Sequence, residues 1–159
     1  MRWDLIDQFQ ILKKGDFSQA VKTYSGEEDF FREHFPGRPL VPDVLFVEMV
    51  AQTGGVLFGL ELNFGKEIIL AKIIRAQFHI AVPPPCAFTI HARMEEASED
   101  GAFIFGVVKQ GDKIVAEAHI LLAAVTGLVT ENGKKIVFND HFLKHYDILN
   151  LAGQGAQSA

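Results

Sequence analysis

The two residues of this sequence best suited to chemistry are a histidine and a glutamate, His34 and Glu48, which stand fourteen positions apart. A histidine can accept a proton near neutral pH and a carboxyl group can deliver one, so the pair could act as base and acid in one reaction. Glu48 lies within residues 44–58, which are almost wholly apolar and contain no Lys or Arg. A buried carboxylate without a partner is costly. Glu48 is therefore either a structural liability or a group kept for proton chemistry.

The residues around Glu48 predict a long buried helix. Asp43 is a residue type favoured at the N-cap, and the helix is predicted to run from there to the Gly-Gly pair at 54–55 or as far as Gly59. Because its apolar residues surround it on every side, we expect it to be buried on every side. Gln52 lies one turn beyond Glu48 on the same face, where its amide can hold the carboxyl group.

A loop rich in proline separates His34 from this helix. The residues that prevent regular structure in it are Pro36, Gly37, Pro39 and Pro42. Proline lacks an N–H group and fixes its own backbone angle. Residues 35–42 are therefore predicted to form a constrained loop that delivers the chain to the helix.

The rest of the chain is predicted to form an antiparallel sheet and a short C-terminal helix. Alternating apolar residues and turn signals place strands at residues 17–24, 67–82, 87–96, 102–109 and 114–125. Segment 3–12 is compatible with a strand or a short helix. Residues 140–151 are predicted as a helix capped by Asn139 or Asp140.

One all-apolar helix followed by long antiparallel strands predicts an α+β fold in which a curled sheet covers the helix. Residues 1–152 are predicted to form a single domain, with a small, polar and flexible tail at residues 153–159. A one-layer sheet covers only part of such a helix. A second copy of the chain is the natural cover for the remaining face, so we expect at least a dimer.

Composition restricts the class of protein. The chain has 159 residues, of which 48% are hydrophobic and 22% are charged, as expected for a globular domain. Its net charge of −5 argues against nucleic-acid binding, which needs a basic face. The sequence lacks an uninterrupted apolar stretch of the roughly 20 residues that span a membrane, and its N-terminus does not resemble a signal peptide. Cys86 is the only cysteine, which fits a cytoplasmic location.

The run from His34 to Gly55, HFPGRPLVPDVLFVEMVAQTGG, resembles the signature of the 3-hydroxyacyl-(acyl-carrier-protein) dehydratases of the FabZ/FabA family. It is closer to the FabZ branch because position 48 is Glu rather than Asp. The similarity continues less tightly through residues 28–31, 71–78 (AKIIRAQF) and 115–122 (VAEAHILL). This resemblance implies a hotdog fold, in which a curled antiparallel sheet wraps around a long central helix.

The resemblance also implies roles for the motif residues. His34 would remove a proton from C2 of a 3-hydroxyacyl thioester, and Glu48 would handle the departing 3-hydroxyl group. The backbone N–H of Val44, at the start of the helix, is the candidate donor to the thioester oxygen. The residues that we expect to bind and position the substrate are Gly37, Pro42, Val44 and Gln52.

The partner that the resemblance implies is an acyl carrier protein bearing a 3-hydroxyacyl chain. The catalytic groups of the family come from opposite subunits, so the implied assembly is a homodimer or a trimer of such dimers. No metal and no organic cofactor are implied. Basic side chains that could receive an acidic carrier are Arg38, Lys66, Lys72 and Arg75, although solvated strand ends explain them equally well.

Asp43 departs from the family pattern, which usually has Gly at this position. A negative charge about 5 Å from the developing enolate would oppose it by roughly 3 kcal/mol at an effective dielectric near 20. As an N-cap, Asp43 would instead turn towards the amides of Leu45 and Phe46 and be partly neutralised, and we favour this arrangement.

Two other functions are compatible with the sequence. A thioesterase of the same fold would need a group that directs water at the carbonyl, and His34 with Glu48 matches elimination better. A non-catalytic acyl-binding relative is the second alternative, and Asp43 is the main argument for it. His141 and His145 have a spacing compatible with a metal site, but without a further ligand they are predicted to lie on a solvated helix face.

Overall fold

The computed structural model describes residues 4–157. They form one long sheet, with one α-helix between its second and third strands and two α-helices after its last strand. The strands are β1 Gln8–Lys13, β2 Phe17–Tyr24, β3 Glu67–Phe78, β4 Cys86–Ala97, β5 Gly101–Gln110 and β6 Lys113–Val125. The α-helices are α1 Asp43–Glu61, α2 Asp140–His145 and α3 Ile148–Gln157, and a 3-10 helix at Asp29–Arg32 precedes α1. Residue 3 of the predicted segment 3–12 and residues 158 and 159 of the predicted tail lie outside the described residues.

The six strands form one antiparallel sheet in the order β1-β2-β4-β5-β6-β3. Residues on β5 alternate between buried and half-buried, as expected for a strand with one face on the core. β1 and β3 are the two edges of the sheet. The predicted strands are thereby confirmed, although β3 ends at Phe78 rather than at residue 82, and segment 3–12 contributes a strand rather than a helix.

α1 lies close to the sheet because small residues meet beneath it. The register places Ala92, Gly106 and Ala118 side by side across β4, β5 and β6. A Cβ atom at Gly106 would collide with the side chain of Val50 on α1. The absence of a side chain there sets how near the helix can approach the sheet.

α1 is the core helix of the domain. Its buried residues are Leu45, Phe46, Val47, Met49, Val50, Ala51, Thr53, Gly54, Gly55, Val56, Leu57, Phe58, Gly59 and Leu60. Its length and composition would allow it to cross a membrane, but 78% of an apolar stretch of 18 residues within it is buried inside the domain. The sheet, and not a bilayer, supplies its apolar surroundings.

The start of α1 differs from the prediction that Asp43 caps the helix. Pro42 occupies the N-cap position, and Asp43 is the first helical residue, with no side-chain hydrogen bond capping the helix. The carbonyl oxygen of Pro42 accepts the N–H of Leu45 at 3.0 Å. Since Pro42 takes the extended conformation that an N-cap requires, the Asp43 carboxylate lies one position too far along the chain to serve as the cap.

The C-terminal helix also differs from the prediction. It is split into α2 and α3, and Asp147 between them has a positive φ of 52°. The cap of α2 is Asn139, whose side chain accepts the N–H of Phe142 at 2.9 Å. α3 continues to Gln157 and therefore includes residues 153–157, which the sequence assigned to a flexible tail.

Candidate active site

The loop that carries His34 is a short hairpin. The N–H of Arg38 donates to the carbonyl of Phe35 at 2.9 Å, and the N–H of Phe35 donates back to Arg38 at 3.1 Å. Gly37 has a φ of 75°, which follows a proline in the order that a type II turn requires. Only glycine adopts this angle without strain. The sequence Phe-Pro-Gly-Arg therefore specifies the turn that follows His34.

The ring of His34 is fixed by the same hairpin. Its Nδ1 lies 3.0 Å from the carbonyl oxygen of Leu40, and the N–H of Leu40 donates to the carbonyl of His34 at 2.9 Å. A carbonyl oxygen can only accept, so Nδ1 carries the hydrogen. In the neutral ring, Nε2 then has the free lone pair of a proton acceptor.

The hairpin is attached to the domain on both sides. The N–H of Val41 donates to the carbonyl of Val82 at 2.9 Å, and Phe31 is buried against Tyr24 with ring centroids 5.8 Å apart. The carboxylate of Glu28 accepts the N–H groups of Ser25 and Gly26. Burial alone would raise the pKa of Glu28, but these backbone hydrogen bonds outweigh it and hold the pKa below its ordinary value.

Glu48 is held by a relay of two hydrogen bonds. The amide Nε2 of Gln52 donates to Oε1 of Glu48 at 3.0 Å, and Oε1 of Gln52 accepts the N–H of Leu5 at 3.2 Å. A backbone N–H can only donate, so it fixes which end of the Gln52 amide faces Glu48. The contact that the one-turn spacing predicts is therefore present, and the N-terminal segment supports it.

Glu48 and Gln52 lie at the wall of an open cavity of about 580 Å³. Its lining is mostly apolar, and Glu48 itself is half-buried. The residues that line it are Asp4, Ile6, Phe9, Glu48, Ala51, Gln52, Gly55, Val56, Ile68, Ile69, Leu70, Leu122, Ile136, Val137, Phe138, Asn139, His141, Phe142, His145 and Tyr146. A carboxyl group beside an apolar space of this size is suited to acid–base chemistry on a largely hydrocarbon ligand.

The structure does not bring all the predicted site residues to this cavity. Among the residues of 4–157 that line it, Glu48 and Gln52 are present, whereas His34, Gly37, Pro42 and Val44 are absent. Those four belong to the hairpin and the start of α1, where the side chain of Val44 is 70% exposed. The N–H of Val44 lies in the first turn, where N–H groups have no acceptor within the helix.

Sequence reasoning missed the C-terminal part of the lining. Residues 136–146 contribute eight of the lining residues, which the sequence showed only as a short apolar run before a helix. His141 and His145, predicted on a solvated face, are exposed but also border the cavity, with ring centroids 6.0 Å apart. Within residues 4–157 no cluster of three or more potential metal ligands occurs.

Cys86 lies away from this cavity. It is buried on β4, and burial, together with the nearby Glu28 carboxylate, raises the pKa of its thiol to about 11. A thiol with a raised pKa is a poor nucleophile.

The six-stranded antiparallel sheet around α1 is the hotdog fold, and solved structures share it. The dehydratase heterocomplex ApeI:P from Xenorhabdus doucetiae matches with a TM-score of 0.64 at 15% identity, over 79% of this chain and 85% of that one. A conserved protein of Pseudomonas aeruginosa matches with a TM-score of 0.63 at 16% identity, over 79% of this chain and 94% of that one. At these identities the likeness concerns the fold alone.

Sequence relatives define the class further. The ApeI-like family, described as ApeI dehydratase, matches residues 11–119. The 3-hydroxyacyl-(acyl-carrier-protein) dehydratase FabZ of Caulobacter vibrioides is 32% identical over 134 residues, which are 82% of this chain and 81% of that protein. FabZ of Clostridium tetani is 33% identical over 118 residues, which are 74% of this chain and 83% of that protein. The chain therefore belongs to the ApeI-like dehydratase family, and the resemblance drawn from the motif is confirmed.

Proposed function

We propose that this protein removes water from 3-hydroxyacyl thioesters carried by acyl carrier protein, giving trans-2-enoyl thioesters for the synthesis of fatty acids or related acyl chains. The observation that carries the proposal is the orientation of Glu48 by Gln52 at the wall of an apolar cavity. The similarity to FabZ enzymes supports the same reaction.

The reaction divides between the two catalytic groups. Nε2 of His34 takes a proton from C2, and the electron pair of that C–H bond forms the C2=C3 double bond. The carboxyl group of Glu48 delivers a proton to the 3-hydroxyl, which leaves as water when the C3–O bond breaks. The N–H of Val44 donates to the thioester oxygen while negative charge develops there. The proton gained by His34 and the proton lost by Glu48 are later exchanged with solvent, so the enzyme returns to its starting state.

The turn and the helix start give the remaining motif residues their roles. Gly37 shapes the turn after His34, and Pro42 sets the direction in which the chain enters α1. Both would therefore position the substrate through the backbone. Gln52 would hold the Glu48 carboxyl group towards the cavity.

A homodimer would complete the site, because His34 does not line the cavity that contains Glu48. β3 is an edge strand whose apolar side chains Ile69, Ile73 and Phe78 are exposed. A long, exposed apolar edge is a surface on which a second chain can pair. In this proposal the hairpin of one subunit brings His34 to the Glu48 of the other, and dimers can assemble further into a trimer of dimers.

The acyl carrier protein would approach from the side of the hairpin. Arg38 is exposed beside His34, where it could contact an acidic partner. Lys66 is less available, because its ammonium group donates to the carbonyl of Glu99 at 2.7 Å. A carrier-linked synthesis of this kind would operate in the cytoplasm, which is the location that we propose for this protein.

The proposal is tested by incubating the protein with a 3-hydroxyacyl thioester and separating the products. We expect the enoyl thioester to form and to be hydrated back in the reverse direction. Release of free thiol would instead identify a thioesterase, and an unchanged substrate over all chain lengths would identify a non-catalytic acyl-binding protein.

A further inference from the structure

The cavity extends along α1 away from Glu48. A Cβ atom at Gly55 would lie 3.9 Å from Cγ2 of Ile68, and a Cβ atom at Gly59 would lie 2.9 Å from Cε2 of Phe138. Glu48 and Gly59 are eleven residues apart, which corresponds to about 16 Å along the helix axis. Since Phe138 lines the cavity and touches Gly59, its ring stands at the end remote from Glu48.

The wall formed by residues 136–146 begins at this remote end. The carboxylate of Glu67, at the start of β3, is buried and accepts the N–H of Val137 at 2.6 Å and the N–H of Phe138 at 3.2 Å. The ring of Phe138 is 4% exposed and packs edge-on against Phe64, with centroids 5.1 Å apart. A buried carboxylate with two backbone donors fixes the position of this part of the wall.

The wall ends close to the catalytic glutamate. The hydroxyl of Tyr146 donates to the Asp4 carboxylate and to the carbonyl of Ile6, and its ring packs edge-on against Phe9. Leu5, between Asp4 and Ile6, is the residue whose N–H holds Gln52. Residues 136–146 therefore run back along α1, from the end at Phe138 towards the end at Glu48.

We propose that residues 136–146 select the length of the acyl chain. The inference rests on the proposed function and places the thioester near Glu48 with the hydrocarbon lying along α1. Phe138 closes the far end of the cavity, and Phe142 narrows it at the side. These residues lie beyond position 119, where the match to the family model ends.

The packing of the Phe138 ring against the Phe64 ring predicts a sharp limit on the length of the acyl chain. Each methylene buried against the wall adds affinity until the chain reaches Phe138. A longer chain must displace a ring that is fixed by Phe64 and by the hydrogen bonds to Glu67, so affinity should fall abruptly rather than level off.

The test is the profile of kcat/KM over 3-hydroxyacyl pantetheine thioesters of increasing even chain length. In Phe138→Ala, the limit should move to longer chains, with a gain of about tenfold per added two-carbon unit, or about 1.4 kcal/mol. Phe103→Ala is the matched control, because Phe103 is half-buried on β5 and packs on His119 outside the cavity. Its profile should keep the wild-type limit.

Phe138 belongs to the core, so its substitution can prevent folding, and Phe142 provides a second test. Phe142 is only half-buried and contacts the rings of Phe138 and Tyr146. Phe142→Ala should favour longer chains, and Phe142→Trp should favour shorter ones. An identical chain-length profile in both folded variants and the wild type would overturn the proposal.

A binding measurement separates this inference from the dehydratase assignment. Titration calorimetry with unreactive saturated acyl pantetheine thioesters should give the same chain-length limit, shifted in the same directions by the Phe142 variants. If no thioester is dehydrated but this shift in the chain-length limit is found, the dehydratase proposal is wrong, and the proposal that residues 136–146 select chain length is supported. If dehydration occurs but the chain-length limit is the same in the Phe142 variants and the wild type, the proposal for residues 136–146 is wrong. The same conclusion follows if saturated thioesters do not bind.

Discussion

The hairpin of His34 and the helical turn of Glu48 hold their functional groups in different ways. His34 lies on an exposed hairpin held by backbone hydrogen bonds, next to Phe35, which is 51% exposed. Glu48 is half-buried, lines a cavity and is held by the side chain of Gln52. Both side chains are half-buried, but His34 belongs to a hairpin whose other residues are mostly exposed, whereas Glu48 lies at the wall of the cavity. This difference suits two groups that meet only when a second subunit is added.

The largest expected effect comes from the variants His34→Ala and Glu48→Gln. Each should lower dehydration by at least about 100-fold, the usual contribution of a positioned acid or base. Circular dichroism should show that both variants fold, because neither group supports the core.

Mixed dimers of the two variants test whether the His34 and the Glu48 of one active site come from opposite subunits. A dimer with His34→Ala in one subunit and Glu48→Gln in the other has one complete site if the groups come from opposite subunits. Purified mixed dimers should then recover about half of the wild-type activity. No recovery in a stable mixed dimer would show that both groups of a site belong to the same chain.

The next effect concerns the hydrogen bonds that orient Glu48. Gln52→Leu removes the donor to Glu48 and the acceptor for the N–H of Leu5, so kcat should fall about tenfold, with a smaller change in KM. Gln19→Leu is the matched control, because Gln19 donates to Gln10 on the exposed side of β2. Equal losses in both variants would mean that Gln52 acts on stability rather than on the orientation of Glu48.

The sequence could predict the constrained loop after His34, the core helix and most strands, because each depends on local rules. Pro36 and Gly37 specify the turn, and the apolar residues of α1 specify burial. The N-cap prediction failed because the type of residue at position 43 was weighed without the conformation that Pro42 already supplies.

The C-terminal wall could not be predicted in the same way. Glu67 binds Val137, which is 70 residues further along the chain, and no local pattern indicates such a contact. Phe138 and Phe142 have the sequence appearance of ordinary core residues. Only the fold shows that they border the same cavity as Glu48.

A smaller effect is expected from the turn beside His34. Gly37→Ala places a side chain at a φ of 75°, and because nothing lies within 4 Å of the added Cβ, the cost is backbone strain alone, about 1 kcal/mol. Thermal unfolding should show a lower melting temperature. Gly153→Ala, in open space on α3, should have the opposite sign, because alanine favours a helix. A melting temperature unchanged by Gly37→Ala would mean that the turn does not depend on glycine.

The smallest effect is expected at Asp43. Because Asp43 makes no capping hydrogen bond, the roughly 1 kcal/mol lost with an N-cap does not apply, and only its interaction with the helix dipole, about 0.3–1 kcal/mol, is at stake. Asp43→Asn should therefore lower the melting temperature slightly, and salt should reduce the difference. Since its side chain is exposed, its charge should oppose the developing enolate by less than about 1 kcal/mol, so activity should change by less than roughly tenfold. A gain near 100-fold would instead show that the carboxylate acts directly on the thioester oxygen. The segment from His34 to the start of α1 would then carry both the catalytic base and a carboxylate that slows the reaction.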